Sequence, residues 1–184
     1  MYPSETIIQI DDDINQAGVA EARGRKFMTP AEFLGKPNPG GPSLVEYKKA
    51  LVELEIQDLV GIAEVIAKAK RVFVAGNGGS AMTATHLASD LARAGVQAYS
   101  LCDNPALITG LANDYGYNHI FSRQLELYNV GEGDVFVAIS GSGNSANIVT
   151  AVNEANRKGA ATLALLGFGG GQVLPLVDKA IVLS

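Results

Sequence analysis

Arg71-Val72-Phe73-Val74-Ala75-Gly76-Asn77-Gly78-Gly79-Ser80 is an apolar run of β type that breaks into a glycine-rich turn where helical spacing begins. The same arrangement returns at Asp134-Val135-Phe136-Val137-Ala138-Ile139, followed by Ser140-Gly141-Ser142-Gly143-Asn144-Ser145. A strand that ends in glycines at a helix N-terminus presents free backbone N–H groups and the positive end of the helix dipole. The hydroxyls of Ser140, Ser142 and Ser145 turn the second loop into a cradle for a phosphate. Two such loops in one α/β domain imply a phosphorylated small molecule held between strand ends.

Working outward from these runs, the chain reads as alternating strands and helices. Ser43 with Glu46 forms a capping box for a long helix, whose stripe is Leu51, Leu54, Leu59, Ile62, Ala63 and Ile66. A helix is predicted from about Ser80 to Ala94, and a second strand over Gln97–Leu101. Two shorter helices follow between Pro105 and Tyr128, broken near Asn113-Asp114-Tyr115-Gly116. A helix near 144–158, a strand at 161–166, a glycine turn with a short helix, and a last strand at Lys179–Leu183 complete the pattern. The expectation is an α/β fold of three layers. Its five-stranded parallel sheet has flavodoxin-like order, helices on both faces, and the ligand at the carboxyl ends of the strands.

Residues 1–42 read differently, with Asp11-Asp12-Asp13, basic Arg23, Arg25 and Lys26, and a Pro/Gly loop at 36–42. They read as an extension or arm, or equally as a flexible tail, with one capped turn expected at Thr29-Pro30-Ala31-Glu32. The domain proper is 43–184.

The 184 residues are 47% hydrophobic, enough for one substantial core. A net charge of −5 without a Lys/Arg cluster argues against nucleic acid as a partner. No apolar run reaches the roughly 18 residues of a membrane span, and no signal peptide is evident. The single cysteine, Cys102, excludes an internal disulfide, suits a reducing compartment and reads as a packing residue. The expected localisation is cytoplasmic.

Gly76, Gly78 and Ala81 fit G-x-G-x-x-A, and Asp103 lies where a ribose-binding acid would stand. Against a dinucleotide, the second serine loop has no role and the first loop is too polar. No G-K-[ST] follows either loop, so a nucleotide cofactor is not expected.

The motifs Gly76-Asn77-Gly78-Gly79-Ser80-Ala81, His86-Leu87-Ala88-Ser89-Asp90-Leu91 and Ser100-Leu101-Cys102-Asp103-Asn104 come first in a longer series. Ala112-Asn113-Asp114-Tyr115-Gly116-Tyr117, Phe121-Ser122-Arg123-Gln124 and Ser140-Gly141-Ser142-Gly143-Asn144-Ser145 follow. In this order they resemble the SIS (sugar isomerase) superfamily in its phosphoheptose isomerase branch. That resemblance covers about 43–184. It implies an aldose–ketose isomerase that converts sedoheptulose 7-phosphate into D-glycero-D-manno-heptose 7-phosphate and works as a homotetramer or homodimer. It further implies that Ser140, Gly141, Ser142 and Ser145 bind the phosphate. Asn77, Gly78, Gly79, Ser80, Asn113 and Asp114 would contact the sugar, and His86 and Asp90 would face the reacting end and help hold zinc.

Isomerisation moves a proton between C1 and C2 and needs a base, an acid and a dry site. His86 and Asp90, four apart on one helix, point to one face. Spacing alone favours a pair that simply pins two helices, and the surrounding motifs reverse that preference. Zinc asks for about four ligands, or three and an open position, and this pair gives two. The family's members continue into a C-terminal helix with a Gln or Asp and a catalytic His, whereas this sequence stops at Ser184. Two readings follow: part of a longer isomerase, or a non-catalytic sugar-phosphate-binding regulator or scaffold. The sheet face that the helix would cover favours the first.

Overall fold

Val72, Phe73, Val74 and Ala75 are wholly buried, and together with Gly76 they form β1 (Val72–Gly76), an interior strand of a five-stranded parallel sheet. A computed structural model describes residues 56–183, all within the unit Leu44–Ser184. The expected arm at 1–42, its Thr29–Glu32 turn, the Ser43–Glu46 cap and the Leu51 and Leu54 part of the stripe lie outside the described residues.

The described chain opens with α1 (Ile56–Ala67), then β1, α2 (Gly79–Arg93), β2 (Ala98–Ser100) and α3 (Pro105–Tyr115). A 3₁₀ turn at Tyr117–His119 leads into α4 (Ile120–Leu127), β3 (Val135–Ser140), α5 (Ala146–Arg157) and β4 (Ala161–Gly167). A second 3₁₀ turn, Leu174–Leu176, precedes β5 (Lys179–Leu183). The strand order is β2-β1-β3-β4-β5, the flavodoxin-like order expected. In register, Val72 pairs with Val135 and Gly76 with Ile139, so β1 and β3 end side by side.

Strands buried on both faces carry near-continuous apolar runs, and β1 and β3 are buried at every position. One sheet face meets α1 and α2 through Ile62, Ala84 and Ala88 against Val72, Val74, Val137 and Ile181. The other meets α4 and α5 through Phe121, Leu125, Ile148 and Val152 against Phe73, Phe136 and Ala164. Each fully buried Val or Phe side chain contributes about 1.5–3 kcal/mol.

The first helix corrects the expected stripe. Ile62, Val65, Ile66 and Ala69 meet the sheet, whereas Leu59 is 47% exposed and Ala63 also faces outward. At about 100° per residue, Ala63 is rotated well away from the arc centred on Ile62 and Ala69, and Leu59 stands at its edge.

Candidate functional site

The two glycine loops leave the sheet from neighbouring strands, β1 and β3. From there the chain turns to opposite sides, toward β2 and toward β4. Such a reversal opens a crevice beyond the carboxyl ends of the strands. The loop after β1 turns tightly because Gly76 has no side chain: a Cβ there would stand 2.5 Å from the Ser80 carbonyl oxygen. Gly78, at φ +55, is the N-cap of α2 and gives that helix no side-chain cap.

The loop after β3 is braced from within. Ser140 Oγ is buried and accepts from Gly143 N at 3.1 Å, and the exposed Ser142 Oγ accepts from Asn144 N at 3.2 Å. Ser145 is the N-cap of α5 in extended conformation, yet its hydroxyl makes no capping bond. Ser140 thus shapes the loop, while the Ser145 hydroxyl is not spent on the helix. Neither α2 nor α5 has an acidic residue in its first turn. Two helix N-termini of 15 and 12 residues therefore meet the crevice without a competing carboxylate.

A second brace comes from the β4–β5 connection. Val173 N donates to Gly143 O at 3.0 Å, Gln172 N to Asn144 Oδ1 at 3.1 Å, and Gly167 N to Gly141 O at 3.0 Å. Gly143, at φ +63, lies so close to this segment that a Cβ would collide with the Gly170 carbonyl.

The two loops are joined by side chains. Asn77 Nδ2 donates to Asn147 Oδ1 at 2.8 Å, and Asn147 Nδ2 returns a bond to Asn77 Oδ1 at 2.9 Å. Tyr117 OH, from the 3₁₀ turn, donates to the same Asn77 oxygen at 3.1 Å. Neither Asn147 nor Tyr117 is among the site residues expected from the sequence. The signal for Asn147 was present: with Ala151 and Ala155 it falls at i, i+4, i+8 on the buried face of α5, a polar residue in an apolar stripe.

Asn113 and Asp114 sit exposed near the end of α3 and bond each other, Asn113 Nδ2 to Asp114 Oδ1 at 2.9 Å. Among the described residues neither is hydrogen-bonded to a loop. His86 Nε2 and Asp90 Oδ2 do meet, at 3.2 Å, with side chains 81% and 52% exposed, and Arg93 lies 3.8 Å from Asp90. Seven residues along α2 from Gly79, His86 is about 10 Å from the helix start at 1.5 Å per residue. The pair therefore pins no second helix among the described residues. It also finds no third His, Cys, Asp or Glu there to complete a metal centre. Two donors do not fit a zinc site that needs three or four.

Asp103 accepts from Thr85 Oγ1 at 2.6 Å, and Thr85 also meets Ser100 Oγ at 3.1 Å, so this acid ties α2 to the turn after β2. Cys102 Sγ donates to Gly76 O at 3.4 Å from behind the first loop, and burial pushes its thiol pKa up. A cleft of ≈ 630 Å³ runs along edge strand β2, lined by Thr85, Tyr99, Ser100, Asp103 and Tyr128 among others, and includes no residue of either loop. The crevice between the loops, flanked by the two uncapped helix N-termini, is the candidate site. No helix among the described residues is long and apolar enough to cross a membrane.

Comparison with known proteins bears on the family and the fold. The SIS domain profile matches residues 49–167. A phosphoheptose isomerase of Sulfurimonas denitrificans is 42% identical over 120 residues, 61% of this chain and 60% of that protein. The chain thus spans about three-fifths of that relative's length. A probable phosphoheptose isomerase of Thermoplasma acidophilum is 38% identical over 148 residues, covering 75% and 81% of the two chains. Among solved structures, phosphoheptose isomerase from Neisseria gonorrhoeae superposes with a TM-score of 0.69 at 33% identity, over 76% of this chain and 80% of that one.

Proposed function

Because this chain belongs to the SIS domain family, in its phosphoheptose isomerase branch, we propose that it is a sugar-phosphate isomerase. Its substrate is sedoheptulose 7-phosphate and its product D-glycero-D-manno-heptose 7-phosphate. The observation that carries this reading is the pair of helix N-termini, without capping side chains, at the adjacent ends of β1 and β3. A phosphate accepts hydrogen bonds and carries negative charge, and this crevice offers donors, dipoles and no acidic side chain in either first turn.

In this reading Ser142, Ser145, the Gly141 N–H and the first N–H groups of α5 hold the phosphate, with Ser140 fixing their loop. Asn77, Gly78, Gly79 and Ser80 face the sugar from β1, and Asn113 and Asp114 from α3. Asp90 and His86 are the acid–base candidates for moving the proton between C1 and C2. Their high exposure supports a site completed by groups outside the described residues, in a homotetramer or homodimer in the cytoplasm. A zinc ion at His86 and Asp90 needs one or two further donors from the same source, and no step here is routed through it. Residues 43–184 form the sugar-phosphate domain and 1–42 an arm outside it.

The test is sedoheptulose 7-phosphate incubated with the protein in D₂O and followed by NMR. A new aldose signal with deuterium beside the carbonyl is the expected result. Binding without turnover would replace the isomerase with a non-catalytic sugar-phosphate regulator or scaffold.

Ser142→Ala supplies an independent check on the cradle. Its hydroxyl is exposed, so the fold survives its loss. A hydrogen bond to a charged group is worth about 1.5–3 kcal/mol, so the affinity for the sugar phosphate should fall roughly ten- to a hundredfold. Calorimetry reading unchanged affinity would remove that loop from the site.

A further inference from the structure

A carboxamide can take part in four hydrogen bonds, two through its oxygen and two through its nitrogen. Asn77 has three of its four in use inside the protein. Its Oδ1 is filled by Asn147 Nδ2 and Tyr117 OH, and one Nδ2 hydrogen goes to Asn147 Oδ1. Among the described residues one N–H remains without a partner, and the reciprocal pair forbids rotation of the amide plane. Asn147 is only 2% exposed, and among the described residues its side chain is hydrogen-bonded to Asn77 alone. The partners come from three separate stretches: the β1 loop, the first turn of α5 and the 3₁₀ turn before α4.

We propose that Asn147 and Tyr117 are positioning residues that lock the Asn77 carboxamide with a single N–H presented to the ligand, making the two loops one rigid receptor. The inference rests on the sugar-phosphate reading of the crevice and deepens it. Asn77 then acts only as a donor, so it recognises an oxygen lone pair of the sugar, a carbonyl or hydroxyl oxygen, and never a hydroxyl hydrogen. Asn147 contributes to sugar recognition without touching the sugar, and phosphate capture by the serine loop stays separate from it.

The experiment measures the affinity of sedoheptulose 7-phosphate and of inorganic phosphate, by calorimetry, for the full chain and for N77A, N147A, Y117F and the double variants N77A/N147A and N77A/Y117F. Losing a satisfied buried partner should weaken sugar-phosphate binding roughly tenfold in N147A, and Y117F about threefold. The double variants should bind no more weakly than N77A alone, because both residues act through the same amide. Affinity for inorganic phosphate should stay within about twofold of wild type throughout.

Losses that multiply in the double variants would overturn the proposal, as would a parallel fall in inorganic phosphate affinity, which marks damage to the loop itself. Tyr117 is exposed, so Y117F folds and carries the same test if N147A does not. Failure here is distinct from failure of the isomerase reading. Binding with coupled losses but no turnover defeats the isomerase alone, and turnover with multiplying losses defeats the lock alone. A wild-type chain that binds neither probe defeats both.

Discussion

Replacing Gly143 with alanine is expected to lower sugar-phosphate affinity by more than about tenfold, and melting should fall by several degrees as well. Two costs add at this position. A non-glycine residue in the left-handed region is penalised by about 1–2 kcal/mol, and Gly143 stands at φ +63. The added methyl would also run into the Gly170 carbonyl, which is backbone and cannot swing aside. The loop must then part from the 169–173 turn, loosening the Val173 N to Gly143 O bond that holds the serines in line. Gly159 is the control. It has φ +78 but open space around its Cβ position, so Gly159→Ala should cost about 1–2 kcal/mol of stability and leave affinity alone. Equal affinity losses in both variants, measured by calorimetry with thermal melts alongside, would mean that the loop–turn contact is not what organises the cradle.

Arg71→Ala is expected to be the most destabilising single change, at about 3–5 kcal/mol in urea unfolding. Asp134 has a side chain only 4% exposed and takes two bonds from the guanidinium, 3.0 Å from Nε and 2.6 Å from NH2. Arg71 also donates to Tyr128 O and Asn129 O and lies 5.1 Å from the centre of the Phe73 ring. Removing it strands a buried carboxylate with Gly131 N as its remaining donor among the described residues. Lysine does not restore a two-pronged contact, so Arg71→Lys should recover less than half of the loss. The hydrogen bond to Asp134 raises the Arg71 pKa above the ordinary guanidinium range. A raised basic pKa contributes stability that is fully present below the unfolded value, which for a guanidinium lies far above neutral, and is lost only as pH rises through the folded one. The Arg71 contribution is therefore flat across the working pH range. An Arg71→Ala loss below about 1 kcal/mol would mark the pair as a surface bridge of the weak kind.

Much of the fold was legible because its rules are local. The apolar runs 72–75 and 135–139, the glycines that end them and the helical spacing after them give strand, turn and helix in order. The right-handed crossover rule then supplies the sheet order. Asn104 with Pro105 is likewise a local signal, a cap whose Oδ1 accepts from Leu107 N at 3.1 Å. What escaped the sequence depends on distant partners. Leu59 and Ala63 fit a helical stripe, but which arc of α1 meets the sheet is decided by Val72, Val137 and Ile181, not by the helix. The Asn77–Asn147 pair joins residues 70 apart, and periodicity shows only that Asn147 is inward, not what it meets. His86 and Asp90 were correctly expected to share a face. Spacing along one helix could not reveal that this face is the outer one.

The crossing of the chain from β1 out to β2 and back to β3 has a consequence for how the molecule comes into being. The side-chain pair that joins the two loops, Asn77 with Asn147, closes a loop of 70 residues, and Arg71 with Asp134, at the opposite end of the same two strands, closes one of 63. Contacts of such separation form slowly, since loop-closure entropy must be met before they return any stabilisation. Neither the piece that ends before β3 nor the piece that begins at it contains a binding crevice. On the proposed function, capture of a phosphorylated sugar is thus a property that the chain acquires in one step, when the halves meet. A ligand that binds only the assembled form draws the population toward it, so a bound sugar phosphate would act on the fold as a late-arriving clasp.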